Sequence, residues 1–332
     1  MKKPYIGITL GDVAGIGPEI VLKTCLEQKV YDACYPVVIG DKKVVDLTIK
    51  DFNLDLKVNV ITKLNQGKYE FGTVDLIDLD NVNIEEYEYG QVSANAGRAA
   101  YEYIEEAVRL YNEDDLNIIA TSPINKEALK AGKVPFIGHT EILGHLTHSN
   151  DPLTCFAVDS LKVFFLSRHV SLRKAIDMVK KERLVDYIER SIKELDKLHV
   201  KGTLYVSGLN PHNGENGLFG DEELTEIIPA IEECQAKGLD VYGPIPGDSI
   251  FHKGFGEECS AVLSLYHDQG HIATKTYDFH KTISLTLGMP VLRTSVDHGT
   301  AFDIAGKNIA DPISMVEAVM LAAKYGDYSI KK

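Results

Sequence analysis

An alternation constrains this chain more than any other feature. Short runs rich in β-branched and other apolar residues (PYIGITL, YPVVIG, LNIIATS, VFFLS, GTLYVSG and SAVLSLY) each stop at turn residues. Between several of them lie longer stretches, 96–112, 180–198 and 221–237, with apolar residues at three- and four-residue spacing. The short runs suit buried strands and the longer period suits amphipathic helices. Strands and helices in alternation predict an α/β protein with a largely parallel sheet. The 332 residues are enough for two domains, and no repeat or polar linker separates them, so interwoven domains are expected.

The runs share a habit at their C-terminal ends. ITL is followed by GDVAGIGPEI, IIA by TSPINK, VFFL by SRH, LYVSG by LNPHNGE and LSLY by HDQGH. In an open parallel sheet the ligand crevice lies beyond the carboxyl ends of the strands. Asp, Asn, His, Lys and Gly at five such ends point to a site more than to five unrelated turns.

His169, His212 and His267 each follow a predicted strand closely. Three neutral imidazoles plus an open position would make a catalytic metal centre. Their long spacing leaves the alternative open, three hydrogen-bonded loop histidines. A rival group in GHTEILGHLTHS lacks the HExxH pattern of a zinc hydrolase, and His145 and His148 read as helix surface or packing. His139 and Thr140 differ, because they stand at a presumed helix start, where free N–H groups favour an anion.

The net charge of −14 opposes binding to nucleic acid or anionic membranes, so any phosphate would need a local basic cluster. Five cysteines with no CxxC pair read as free thiols in a reducing cytosol. The first apolar stretch breaks at Gly7 and Gly11, too short for a signal segment, and a cytoplasmic protein without a membrane span is expected. In GDVAGIGPEI, Pro18 and Glu19 mark a helix start, but the spacing is not GxGxxG and supports no Rossmann claim.

The stretch SVDHGTAFDIAGKNIADP resembles the adenosine-binding loop of the isocitrate and isopropylmalate dehydrogenase group. Taken with GDVAGIGPEI, TSPINK, GHTE, GLNPHNGE and YHDQG, it resembles the PdxA family of 4-hydroxythreonine-4-phosphate dehydrogenases. The motifs run from Gly11 to Lys307, nearly the whole chain. The resemblance implies two α/β/α domains of the isocitrate/isopropylmalate dehydrogenase-like type with the active site in the cleft between them. Approximate boundaries put 1–133 with 285–332 on the cofactor side and 134–284 on the metal and dimerisation side.

The same resemblance implies site residues. His169, His212 and His267 would hold one divalent ion (zinc, cobalt, magnesium or manganese), shared between the subunits of a homodimer. His139, Thr140, Lys275, Ser284 and Arg293 would bind a phosphorylated hydroxy-acid substrate. His298, Gly299, Thr300, Asp303 and Gly306 would bind NAD, and a carboxylate at 303 near a ribose would disfavour a 2′-phosphate. Among the candidate catalytic residues, Asp248 or Asp268 would take the hydroxyl proton and Lys275 would supply a compact positive charge. Two positions depart from the family: Ser284 stands where Asn is usual, and Ser122 where Ala is usual.

The expected reaction is NAD-dependent oxidation of 4-phosphooxy-L-threonine at its C3 hydroxyl followed by decarboxylation, a step of vitamin B6 synthesis. Ser284, shorter and with one hydroxyl, raises a same-family alternative, D-threonate or D-erythronate 4-phosphate. A metal hydrolase built on the three histidines is a remote third reading, disfavoured because it would not need an adenosine loop.

Overall fold

A computed structural model describes residues 3–113 and 115–328. The chain divides into two compact units, one formed by residues up to Pro152 with those from Ile283 onward, the other by Leu153–Thr282. The first break falls at 152/153, where the sequence suggested 133/134, because the helix His139–Leu146 packs on the long helix Ala94–Glu113 of the first unit.

In the first unit the strands are β1 (Tyr5–Thr9), β2 (Tyr35–Gly40), β3 (Lys57–Ile61), β4 (Thr73–Asp78) and β5 (Ile118–Thr121). The second contributes β6 (Leu153–Val158), β7 (Leu161–Phe165), β8 (Thr203–Ser207), β9 (Val241–Ile245) and β10 (Cys259–Ser264). The chain then returns to the first unit with β11 (Ile283–Leu287) and β12 (Leu292–Ser295). The first unit orders its strands β3-β4-β2-β1-β5-β12-β11, parallel except where β11 and β12 form an antiparallel pair. The second orders its strands β6-β7-β10-β8-β9, parallel except for the β6–β7 hairpin. The largely parallel α/β architecture read from the alternation is therefore present in both units.

Each unit buries its own core. Ile6, Ile8 and Ile39 on the central strands of the first, with Leu10 just beyond β1, are fully buried. Phe156, Val163, Phe165, Ile245 and Val262 form a packed cluster in the second. Central parallel strands covered on both faces read as continuous apolar runs, which is why β1, β2, β5, β7, β8 and β10 were visible in the sequence. Local signals start two of the helices. Asp41 caps Lys42–Phe52 by accepting from the Lys43 and Val44 amides, and Pro18 sits in the first turn of Gly17–Thr24.

The loop after β1 is a buried connection. Every residue from Gly11 to Ile20 is buried, and a Cβ on Gly11 would lie 2.3 Å from the Pro123 carbonyl oxygen. Glycine there lets the loops after two adjacent strands touch, and the Asp12 amide donates to that same carbonyl at 2.9 Å. No helix among the described residues is long and apolar enough to cross a membrane.

Candidate active site

In the second unit, the loops after β7, β8, β9 and β10 gather five of the expected residues around two adjoining cavities. One, of about 360 Å³, is lined by Arg168, His169, Tyr266, His267 and Asp268. The other, of about 450 Å³, is lined by Asn210, His212, Asp248, Tyr266, Asp268 and Gln269. Tyr266 and Asp268 belong to both walls.

His169 and His267 come together, their ring centroids 6.1 Å apart, whereas His212 opens into the neighbouring cavity. Among the described residues no three His, Cys, Asp or Glu side chains gather closely enough to hold a metal. The donor chemistry nevertheless fits a metal at His267. Its Nδ1 lies 2.7 Å from Asp268 Oδ1, so Nδ1–H donates to the carboxylate and the Nε2 lone pair is left for a ligand. A carboxylate behind a histidine fixes the tautomer and raises basicity, as behind bound metals generally.

The stretch HDQGH gives each residue a different task. His267 opens the helix His267–Tyr277, and Asp268 orients its ring. Gln269 straps the helix start to two strand ends, its Oε1 accepting from the Leu265 amide at 2.7 Å and its Nε2 donating to the Gly208 carbonyl at 2.9 Å. Gly270 permits close approach to the sheet, since a Cβ there would lie 2.6 Å from the Phe165 ring. His271 is buried against Phe156 and Phe165, with ring centroids 4.3 and 4.7 Å away. Burial, with His267 and Lys275 as neighbours, pushes its pKa down to about 4. It is a neutral packing residue.

Lys275 continues the face of His267 and His271 two turns along the same helix, and its ammonium lies 5.3 Å from the Phe279 ring centroid. Asp248 is exposed in the turn after β9 and shares a cavity wall with His212.

The first unit holds the remaining expected residues. Arg293 is buried on β12, its Nε donating to Thr121 Oγ1 at 2.8 Å and a terminal nitrogen to Thr286 Oγ1 at 3.2 Å. Burial pushes its pKa down to about 9, against the pull of Asp297. At neutral pH it is a cation held by two neutral hydroxyls, ready for an anion. The ring of His139 faces that charge, and burial together with Arg293 holds its pKa well below the ordinary imidazole range. Its Nε2 is buried with no hydrogen-bond partner, an orphan polar atom of the kind a ligand satisfies. Thr140 follows in the first turn of the same helix. Ser284 is buried on β11 directly opposite Ser295, two residues from Thr286 on the same face. The strand register puts residues 121, 284, 286 and 295 on the same face as Arg293.

The loop expected to take NAD lies on the buried glycine loop. The Ile16 amide donates to the Thr300 carbonyl at 3.0 Å, and a Cβ on Gly15 would lie 2.8 Å from Thr300. Glu19 and Lys23 clamp the far end: Glu19 accepts from the Ala310 amide at 2.8 Å while Lys23 donates to the Ala310 carbonyl at 3.0 Å. Gly306 adopts φ +76° against Tyr89. Gly299 is exposed with open space where a Cβ would stand, His298 before it is half-buried, and Asp303 is exposed four residues on. An open glycine backbone and an exposed carboxylate on one loop are groups suited to a dinucleotide's phosphate and ribose.

Sequence reasoning missed Asp12. It is fully buried, accepts from the Ala14 amide at 3.0 Å, and leaves its other oxygen without a partner. Burial raises its pKa to about 6.

The profile of the family described as "Pyridoxal phosphate biosynthetic protein PdxA" matches residues 32–322. A Fusobacterium nucleatum protein named "Putative D-threonate 4-phosphate dehydrogenase" is 59% identical over 320 residues, 96% of each chain. A Clostridium botulinum protein of the same name is 57% identical over 325 residues, 98% of this chain and 97% of its own. Among solved structures, a 4-hydroxythreonine-4-phosphate dehydrogenase from Klebsiella pneumoniae superposes with TM-score 0.92 at 35% identity, covering 98% of this chain and 99% of its own. Another, from Burkholderia phymatum, gives TM-score 0.88 at 41% identity with the same coverage. The α/β fold, the strand-end motifs and these relatives agree, and the chain belongs to the PdxA family of dehydrogenases, oxidoreductases acting on phosphorylated hydroxy acids.

Proposed function

We propose that this chain is an NAD- and divalent-metal-dependent dehydrogenase of D-threonate 4-phosphate or D-erythronate 4-phosphate. The observation that carries the substrate is the relatives' identity, 59% and 57% over nearly the whole chain, against 35–41% for those named for 4-hydroxythreonine 4-phosphate. Ser284 supports it, standing where the family pattern has an amide. The two substrate types differ at C2, which carries an ammonium in the threonine and a hydroxyl in the threonate. A serine hydroxyl can donate to or accept from a hydroxyl. Oxidation of 4-phosphooxy-L-threonine in vitamin B6 synthesis, the first expectation from the resemblance, becomes the second reading.

His169, His212 and His267 would hold the ion, and His298, Gly299, Thr300, Asp303 and Gly306 would hold NAD. Zinc, cobalt, magnesium or manganese would supply Lewis acidity toward the alcohol oxygen, and NAD would accept the hydride. Arg293 forks toward an anionic oxygen pair, and Thr140 and neutral His139 offer donors beside it. Lys275 adds a compact positive charge. Asp268 or Asp248 would take the hydroxyl proton. Oxidation at C3 leaves a ketone β to the carboxylate, and the carboxylate then departs as CO2. A homodimer completing the metal site belongs to the same proposal. Support comes from His212 standing apart from His169 and His267, with Leu218, Phe219 and Leu224 exposed nearby in sequence.

The test is NADH absorbance with NAD, a divalent ion and each substrate in turn. D-threonate or D-erythronate 4-phosphate should give the higher kcat/KM. Preference for 4-phosphooxy-L-threonine would return the chain to the vitamin B6 reading. No NADH from any of the three would sink both readings.

A further inference from the structure

The loop that presents His212 is wound the wrong way. His212, Asn213, Gly214, Glu215 and Asn216 are all left-handed, with φ between 45° and 76°, and Gly217 follows at φ 92°. Four of those first five residues carry a Cβ, which the left-handed conformation disfavours at each position. Such a run persists only where its surroundings impose it.

Glu223, 1% exposed, reaches this loop from the following turn. One carboxylate oxygen accepts from the successive amides of Leu209 and Asn210, at 2.8 and 2.7 Å. The other accepts from the Asn210 side chain at 2.8 Å and lies 3.0 Å from where a Cβ on Gly214 would stand. The carboxylate therefore grips the chain just before the left-handed turn and underlies its middle. Glu223 opens a π-helical turn, Glu223–Ile227, a local widening that is frequent at functional sites. Asn213 adds a second anchor, donating to the Pro244 carbonyl at 2.9 Å. Glu223 itself lines neither cavity.

We propose that Glu223 is the positioning residue of His212: its carboxylate holds the left-handed turn that aims the imidazole. This rests on the reading of His212 as a metal ligand. Glu223 touches no reacting atom and acts through the turn alone.

The test is a titration of the metal-free full-length protein with cobalt(II), read by the visible absorbance of the bound ion. Amide hydrogen exchange at Leu209 and Asn210 gives a readout independent of metal. Glu223→Ala should weaken cobalt binding roughly ten- to a hundredfold, the usual range for groups behind a ligand, and speed exchange at both amides. Glu223→Gln, which keeps an acceptor for those amides, should bind within a few-fold of wild type. Asn216 is exposed, so Asn216→Val burdens only the left-handed backbone and should also weaken binding, while Asn216→Gly should not. If Glu223→Ala does not fold, the Asn216 pair decides. Wild-type cobalt affinity in folded Glu223→Ala or in Asn216→Val overturns the proposal. Wild-type protein that takes up no cobalt overturns the metal reading itself, a distinct failure.

Discussion

Asp12 shows how a single buried carboxyl couples stability to pH. The folded protein raises its pKa from 3.8 to about 6 by burial, only partly offset by the Ala14 amide. The folded state therefore holds this proton more tightly than the unfolded state. Its contribution to stability is complete below pH 3.8 and is lost as pH rises through about 6. A gap of about two units corresponds to a ceiling of about 3 kcal/mol. Asp12→Asn keeps the acceptor for Ala14 without the titration. In denaturant unfolding, the variant should gain on wild type between pH 4 and 6 and be more stable at pH 7 by about 1–3 kcal/mol. Parallel curves across that range would remove the burial argument. The sequence flagged GDVAGIGPEI, but not this residue's role. Nothing in the local pattern distinguishes a solvated Asp after a strand from one sealed beneath another loop. His139 is the opposite case: its place at a helix start was legible, and the structure adds the orphaned Nε2 and the facing Arg293.

At the scale of elements, the helix His267–Tyr277 depends on one small residue. A Cβ on Gly270 would lie 2.6 and 2.7 Å from the Phe165 ring and 2.8 Å from Ser264 Oγ. Phe165 is 2% exposed and the Ser264 hydroxyl is committed to the Phe164 carbonyl, so neither yields easily. Gly270→Ala gains helix propensity but must lift the helix from the sheet, and overpacking of this kind costs about 1–3 kcal/mol. The denaturation midpoint should fall accordingly. An unchanged or raised midpoint would show that the helix has slack there. The element pattern itself was largely legible. The stretches 96–112 and 180–198 became the helices Ala94–Glu113 and Lys181–Lys197. The third, 221–237, became a π turn, Glu223–Ile227, running into Ile228–Ala236. Of the six strands that escaped notice (β3, β4, β6, β9, β11 and β12), two had a plain physical reason. β3 is an edge strand with only Ile61 buried, and β9, also at an edge, contains Pro244.

At the scale of the whole molecule, the proposed metal site needs three histidines of one unit to converge. His169 and His267 share a cavity wall, whereas His212 faces the adjoining cavity on its left-handed loop. Sequence spacing could nominate the three residues because each follows a strand, but convergence depends on loop conformation and on assembly, which no local pattern encodes. If a second copy supplies the missing ligand, His212 of one chain works with His169 and His267 of the other. Two inactive variants, His212→Ala and His267→Ala, then complement each other. In a randomly mixed population about half the dimers are heterodimers, and one of the two sites in each carries all three imidazoles. Co-refolding the variants should therefore restore about a quarter of wild-type NADH production, with cobalt uptake in the same proportion. If each site draws its ligands from a single chain, both sites of every heterodimer are broken. The mixture then stays as inactive as its parents, and the shared site is excluded whatever the oligomeric state.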